Sequence, residues 1–132
     1  MSTTSTSTTI GRQLADLCRE GRNLEAIETL YSDDIVSVEA CPMPSFDQRM
    51  AGKAAVTGKN QWWVENHEVH DGDVAGPFPH GDDRFCLLFN YDVTNKPSGQ
   101  RMQLTEVGLF TIVDGKITKE EFFYQMDGPA PA

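Results

Sequence analysis

Hydrophobic residues recur at helical spacing near the start of this chain and alternate with polar ones over its second half. Ile10, Leu14, Leu17 and Cys18 lie three to four residues apart, which predicts an amphipathic helix stopping near Gly21. Asn23 is placed to cap a second helix, with Leu24, Ile27, Leu30 and Tyr31 along one side. Ser32-Asp33-Asp34 then turns the chain into a strand of about Ile35 to Ala40. A loop containing Pro42, Pro44 and Gly52 leads to a third helix from about Lys53 to Asn66, with Val56, Trp63 and Trp62 on its packed side. Beyond it the period changes to two. His67 to Ala75 reads as a strand, and Gly76 to Gly81 as a turn or irregular loop. In Arg84 to Thr94, Phe85, Leu87, Phe89, Tyr91 and Val93 alternate with Cys86, Asn90 and Asp92. Lys96 to Gly99 returns the chain into Arg101 to Val113, and Asp114-Gly115 is a hairpin signal before a last strand, Lys116 to Met126.

Helices followed by an antiparallel meander predict one α+β domain, with the helices on one face of a curved sheet. A helix closing only part of the concave side would leave a cone-shaped cavity. The domain is expected over 9–127, with a Ser/Thr-rich tail over 1–8 and a Gly/Pro/Ala tail over 128–132.

Composition narrows the function classes. Eleven Lys and Arg against twenty Asp and Glu give a formal net charge of −9, which disfavours nucleic acid and anionic membranes as partners. The three cysteines, Cys18, Cys41 and Cys86, are odd in number and lack CxxC spacing, so free thiols in a reducing compartment are expected. Without a secretory signal or an apolar run long enough to span a membrane, the cytoplasm is the expected location.

Two carboxylates carry the candidate chemistry. Glu39 shares a strand face with Ile35 and Ser37, and Glu106 with Leu104, Gly108 and Phe110. An inward carboxylate is costly unless paired, hydrogen-bonded or protonated, so two of them point to a pocket. In the catalytic reading, one Glu takes a proton next to a carbonyl and the other donates to the enolate oxygen. The alternative is a structural pair, bonded to Tyr31, Tyr91, Trp63 or Arg84. His67 and His70 are candidate assistants at the cavity rim. Three residues apart on a strand they face opposite ways, so no metal site is expected from the pair, and His80 joins only by folding of a loop. Trp63, Tyr31, Phe85, Phe89, Tyr91, Phe110 and Tyr124 are candidate ligand-binding aromatics, although core packing is the commoner role for such residues. Lys53, Lys59 and Arg84 read as surface charges. Val107, Leu109 and Phe123 give the opposite sheet face an apolar character suited to association.

The run Asn23-Leu24-Glu25-Ala26-Ile27-Glu28-Thr29-Leu30-Tyr31-Ser32-Asp33-Asp34-Ile35-Val36 resembles the helix, aromatic, Asp-Asp and strand of the SnoaL-like branch of the nuclear transport factor 2-like superfamily. Met50-Ala51-Gly52-Lys53-Ala54-Ala55-Val56 and the Asp114-Gly115-Lys116-Ile117 hairpin are similar to later features of the same group. The resemblance implies a cystatin-like roll of about three helices on a strongly curved, mostly antiparallel sheet. It also implies a two-fold homodimer through the outer sheet face and a small hydrophobic molecule as ligand. Among the group, ketosteroid isomerase has chemistry that maps onto this chain: a base five residues after the Asp-Asp pair falls on Glu39, and an oxyanion-side acid falls on Glu106. By that analogy the protein is a cofactor-free isomerase, cyclase or dehydratase acting on an oxygenated substrate. The alternative is a noncatalytic ligand-binding or dimeric interaction module. The isomerase's oxyanion tyrosine has no counterpart here, since the first helix offers Leu14, Ala15, Asp16 or Leu17 instead.

Overall fold

A computed structural model describes residues 5–43 and 46–124. Three helices, α1 (Thr6–Arg19), α2 (Asn23–Leu30) and α3 (Lys53–Asn66), pack against six strands. The strands are β1 (Tyr31–Val38), β2 (Arg49–Ala51), β3 (His67–His80), β4 (Arg84–Asn95), β5 (Gln100–Val113) and β6 (Lys116–Phe123). They form one sheet in the order β2-β1-β6-β5-β4-β3. All neighbours are antiparallel except β1 and β6, which run parallel. Register shifts break β3 between Val69 and Asp71 and again between Ala75 and Phe78, as β-bulges do where a sheet bends.

The first helix begins inside the stretch that the sequence assigns to a tail. Ser5 caps it by accepting from the Thr8 amide at 3.2 Å, and Ser7 is fully buried with its hydroxyl donating to the Gly81 carbonyl at 2.8 Å. At the other end Gly21 takes φ +71°, and the Arg22 amide bonds the Leu17 carbonyl at 2.8 Å while the Gly21 amide bonds that of Cys18 at 3.1 Å. This is a Schellman closure, which needs a residue tolerant of positive φ. The expected tail at 128–132 and the predicted end of the last strand at Met126 lie outside the described residues.

Several local expectations are corrected. Asn23 does not cap α2. It lies inside the helix, which has no side-chain cap, and the Arg22 guanidinium binds the Glu25 carboxylate in the first turn instead. Leu24 is exposed, and α2 buries Ala26 and Ile27. The Gly/Pro-rich run after Ala75 is a continuation of β3 to His80, not a loop. Because β3 is the last strand of the sheet, Pro77 and Pro79 remove no hydrogen bond that a second neighbour would need. The loop after β1 contains the short strand β2, whose three residues carry too little pattern to be seen in sequence.

The core lies between α1, α2 and the concave side of β4, β5 and β6. Phe85, Phe110, Leu87, Ile35 and Ile117 are its nearly solvent-free members. Phe85 and Phe110 face each other across β4 and β5, with ring centroids 5.0 Å apart and nearly parallel planes. Among the described residues no helix is long and apolar enough to cross a membrane.

Replacing Phe85 with Ala should lower stability by about 3–5 kcal/mol, as expected for removing a wholly buried ring. Urea unfolding monitored by circular dichroism would measure this, with no matching loss of ligand affinity because the ring lies under the cavity wall and not on it.

Candidate functional site

A cavity of about 260 Å³ remains on the concave side, walled by α1, α2, α3 and the strands from β4 to β6. Its walls are mainly apolar and aromatic, and its polar groups come from α2, α3, β1 and the strands β3 to β6. The geometry follows from strand register. Ser37, Glu120, Phe110 and Phe85 are successive partners across β1, β6, β5 and β4. Two residues along β5, Gly108 pairs with Phe122 and Leu87, and two further on, Glu106 pairs with Phe89. A Cβ at Gly108 would come within 2.7 Å of the Phe110 ring and 3.2 Å of Phe89. Glycine there lets both rings lie flat beside Glu106.

Glu39 sits one residue past the end of β1, where its amide bonds the Gln48 carbonyl at 2.9 Å. Both of its carboxylate oxygens are occupied. Oε1 accepts from Lys59 Nζ at 2.8 Å, and Oε2 accepts from the Tyr124 hydroxyl at 3.0 Å. The Cys41 thiol in turn approaches Tyr124 Oη at 3.9 Å. Lys59 also donates to Ser37 Oγ at 2.6 Å and lies 5.4 Å from the centre of the Phe122 ring. The sequence reading placed Lys59 on the surface, yet it is only 6% exposed. Val56, Lys59 and Trp63 are spaced three and four apart, so helical periodicity already put Lys59 on the packed face. Its charge hid that signal.

Glu120 is a second residue that sequence reasoning missed. It is 2% exposed, accepts from the Tyr31 hydroxyl, and leaves Oε2 buried without a hydrogen-bond partner among the described residues. Alternation with Phe122 on β6 was the available clue. Burial raises its pKa above the usual carboxylate range, opposed by the Lys59 charge and by the hydrogen bond from Tyr31. The same environment raises the Tyr31 hydroxyl, through burial first and the Glu120 charge second.

Glu106 differs from both. No described group hydrogen-bonds to it or forms an ion pair with it, and its partly buried side chain borders the cavity. Burial, reinforced by the charges of Glu39 and Glu120, raises its pKa from 4.5 to about 7, and Lys59 offsets only part of this. Near neutrality Glu106 thus exchanges a proton readily, while Glu39 is held in an ion pair.

The two candidate histidines separate. His67 is buried at the cavity, stacked on Trp63 with ring centroids 4.5 Å apart. Its Nδ1 lies 2.8 Å from the Trp63 carbonyl. A carbonyl only accepts, so Nδ1 carries the proton and Nε2 of the neutral ring is left as an acceptor. His70 is exposed, bonded to Thr94 Oγ1 at 2.7 Å, and does not line the cavity. His80 is exposed at the end of β3. Of the aromatic candidates, Tyr31, Trp63, Phe89, Tyr91, Phe110 and Tyr124 line the cavity, whereas Phe85 is packed beneath it. The three thiols are free, and burial pushes the Cys18 thiol up to about 12.

Three helices packed on a mixed, mostly antiparallel six-stranded sheet match the nuclear transport factor 2-like class of folds. Within that class residues 5–124 match the SnoaL-like domain, and the chain belongs to that family. A candidate SnoaL-like polyketide cyclase from Mesorhizobium loti is 46% identical, with a TM-score of 0.82, over 88% of this chain and 97% of its own. A candidate SnoaL-like polyketide cyclase from Jannaschia sp. CCS1 is 17% identical, with a TM-score of 0.72, over 93% and 88% of the two chains. A protein of ketosteroid isomerase-like fold from Catenulispora acidiphila, solved in complex with trimethylamine, is 19% identical, with a TM-score of 0.68, over 89% and 85%. The last two likenesses are of fold. No curated protein matches the chain in sequence.

The titration of Glu106 sets a pH dependence of stability. Below pH 4.5 this carboxyl is protonated both folded and unfolded, so it favours neither state. Between 4.5 and about 7 the unfolded chain ionises first, and stability falls until the folded form has ionised too. Glu106→Gln should therefore gain stability relative to wild type by about 1–3 kcal/mol between pH 4 and pH 8. Urea melts at the two pH values would measure the gain.

Proposed function

We propose that this protein catalyses proton transfer on a small, hydrophobic, oxygenated molecule, with Glu106 as the group that takes and returns the proton. The observation that carries this reading is an unpaired carboxyl, poised near neutrality, at the wall of an apolar cavity. Glu106 in its carboxylate form removes a proton from the carbon next to a carbonyl. The C–H electron pair moves into the carbonyl π system, and the oxygen becomes an enolate. Lys59 supplies the positive charge that holds this oxygen, while Glu39 and Ser37 keep the ammonium in place. From the enolate three outcomes balance: return of the proton at another carbon isomerises the substrate, attack on a second carbonyl closes a ring, and loss of a β-hydroxyl as water dehydrates it.

This assignment exchanges the roles that the resemblance implies for the two acids. The resemblance makes Glu39 the base, but both of its carboxylate oxygens are already engaged, one by Lys59 and the other by the Tyr124 hydroxyl, whereas Glu106 has no such partner among the described residues. His67, with Nε2 free to accept, is the assisting histidine in this scheme, and the surface position of His70 gives it no part. A noncatalytic binding role would leave both acids paired or exposed around a filled interior, and Glu106 is neither.

A two-fold homodimer through the outer sheet face is part of the same proposal. Val107 pairs with Leu88 and Phe123 there, and Phe123 is 50% exposed. Sedimentation equilibrium should give twice the chain mass for wild type, and Phe123→Glu should shift the protein towards monomer. A wild-type monomer at micromolar concentration would rule this pairing out.

The chemistry is tested by deuterium exchange at the α-carbon of 2-tetralone in D₂O, followed by proton NMR. Wild type should exceed the buffer rate, with a rate that rises with pH and levels off above about 7. Glu106→Gln should reduce the enzymatic rate by about 10²- to 10⁴-fold, the range for loss of a positioned base. A variant at full rate, or wild type at the buffer rate, would remove Glu106 from this role.

A further inference from the structure

The charges facing the cavity do not balance. Lys59 is already matched by Glu39, which leaves Glu106 and Glu120 without a counter-cation among the described lining residues. Glu120 is nearly solvent-free, and its Oε2 has no hydrogen-bond partner among the described residues. Among the described residues no group hydrogen-bonds or ion-pairs with Glu106 either. Two carboxyls against one already-paired ammonium leave room for a positive charge or a donor from whatever enters.

The walls beside Glu106 have the complementary property. Phe89 is its direct cross-strand partner, and Tyr91 follows on the same face of β4, its ring 6.1 Å from that of Phe89 and inclined by 22°. Trp63 tilts over Tyr91 from α3, with ring centroids 5.9 Å apart at 50°. Three aromatic rings therefore make a corner around one unpaired carboxyl. Aromatic faces attract cations through their quadrupole, by about 2 kcal/mol or more per ring once water is excluded. Within this same interior Lys59 already lies 5.4 Å from a ring centre, over Phe122. At about 260 Å³ the cavity is slightly below the usual range of ligand pockets, ~300–1,000 Å³, so a compact ligand fits it best.

We infer that the ligand of this cavity carries a compact ammonium group, seated in the corner formed by Trp63, Phe89, Tyr91 and Glu106, with its oxygen function directed to Lys59. This deepens the proton-transfer reading, since both rest on Glu106. A cation in the corner favours the ionised carboxyl, so binding itself releases a proton. Lys59 is compensated by its direct pairing with Glu39 and so opposes the ligand's charge only in part.

Choline and its uncharged carbon analogue, 3,3-dimethylbutan-1-ol, have nearly the same shape and separate charge from fit. Isothermal titration at pH 7 in two buffers of different ionisation enthalpy reads both affinity and proton release. Choline should bind at least tenfold more tightly than the alcohol and release about half a proton per site, as a group titrating near 7 requires. Glu106→Gln should abolish the proton release and cut the preference to below about threefold. Trp63→Leu, which keeps an apolar wall and removes a ring, should weaken choline more than the alcohol. Circular dichroism and thermal melts check that both variants fold. Equal binding of the two probes, tighter binding of the alcohol, or no binding of either at millimolar concentration overturns the inference. Those results leave the proton-transfer reading intact if 2-tetralone exchange still depends on Glu106. Preferential choline binding without such exchange removes that reading alone.

Discussion

One ammonium group serves three carboxyls inside this fold. Taking a charge out of water is expensive, and a lone buried ion is tolerated only when it is paired or neutralised. Lys59 pairs directly with Glu39, bonds the Ser37 hydroxyl and partly offsets the field at Glu106 and Glu120. One cation cannot do this equally for three acids. Glu39 takes the direct ion pair, whereas Glu106 and Glu120 have raised proton affinity. The protonation pattern thus follows from where α3 delivers one side chain. Were that cation removed, Glu39 would become a third uncompensated acid in the same space, a change of the kind that costs about 3–5 kcal/mol in a fully buried pair.

The cavity survives because the packing around it is uneven. Phe85 and Phe110 stack in the core, whereas Glu106 and Phe89, two same-face pairs further along β5 and β4, border open space. Gly108 contributes by allowing the rings on either side to lie close to the sheet. The result is a wall of rigid aromatic surfaces interrupted by one carboxyl. Such a surface is suited to hold a small molecule in one orientation while a proton moves.

Much of this was legible in the sequence, and what was missed has physical causes. Strand alternation placed Glu39 and Glu106 inward, and both line the cavity. The limits Lys53 and Asn66 for the third helix agree with the structure, because the Gly52 start and the switch to period two at His67 are strong local signals. The hairpin at Asp114-Gly115 is equally local, with Asp114 at φ 51° and Gly115 at φ 77°. Lys59 and Glu120 escaped notice because a charged residue on an amphipathic pattern reads as solvent-facing until its partner is known, and the partners lie 20 and 89 residues away in sequence. The parallel pairing of β1 with β6 is invisible for the same reason, since no turn joins the two strands. Phe85 and Phe89 look alike in sequence, and only the position of α1 above one end of β4 decides which is packed away and which meets the cavity.

The attachment of α1 to β3 bears on solubility. Strand β3 has a neighbour on one side only, and an unprotected edge invites further strands to add to it. Arg19, at the end of the helix, donates to the Val74 carbonyl at 2.7 Å and to that of Gly76 at 3.4 Å, and Ser7, near the start, takes the carbonyl of Gly81. Pro77 and Pro79 offer no amide between these points. A strand from another molecule would find the Val74 and Gly76 acceptors already engaged and two donors missing beyond them, so the helix that roofs the core also shields this stretch of the β3 edge from strand addition.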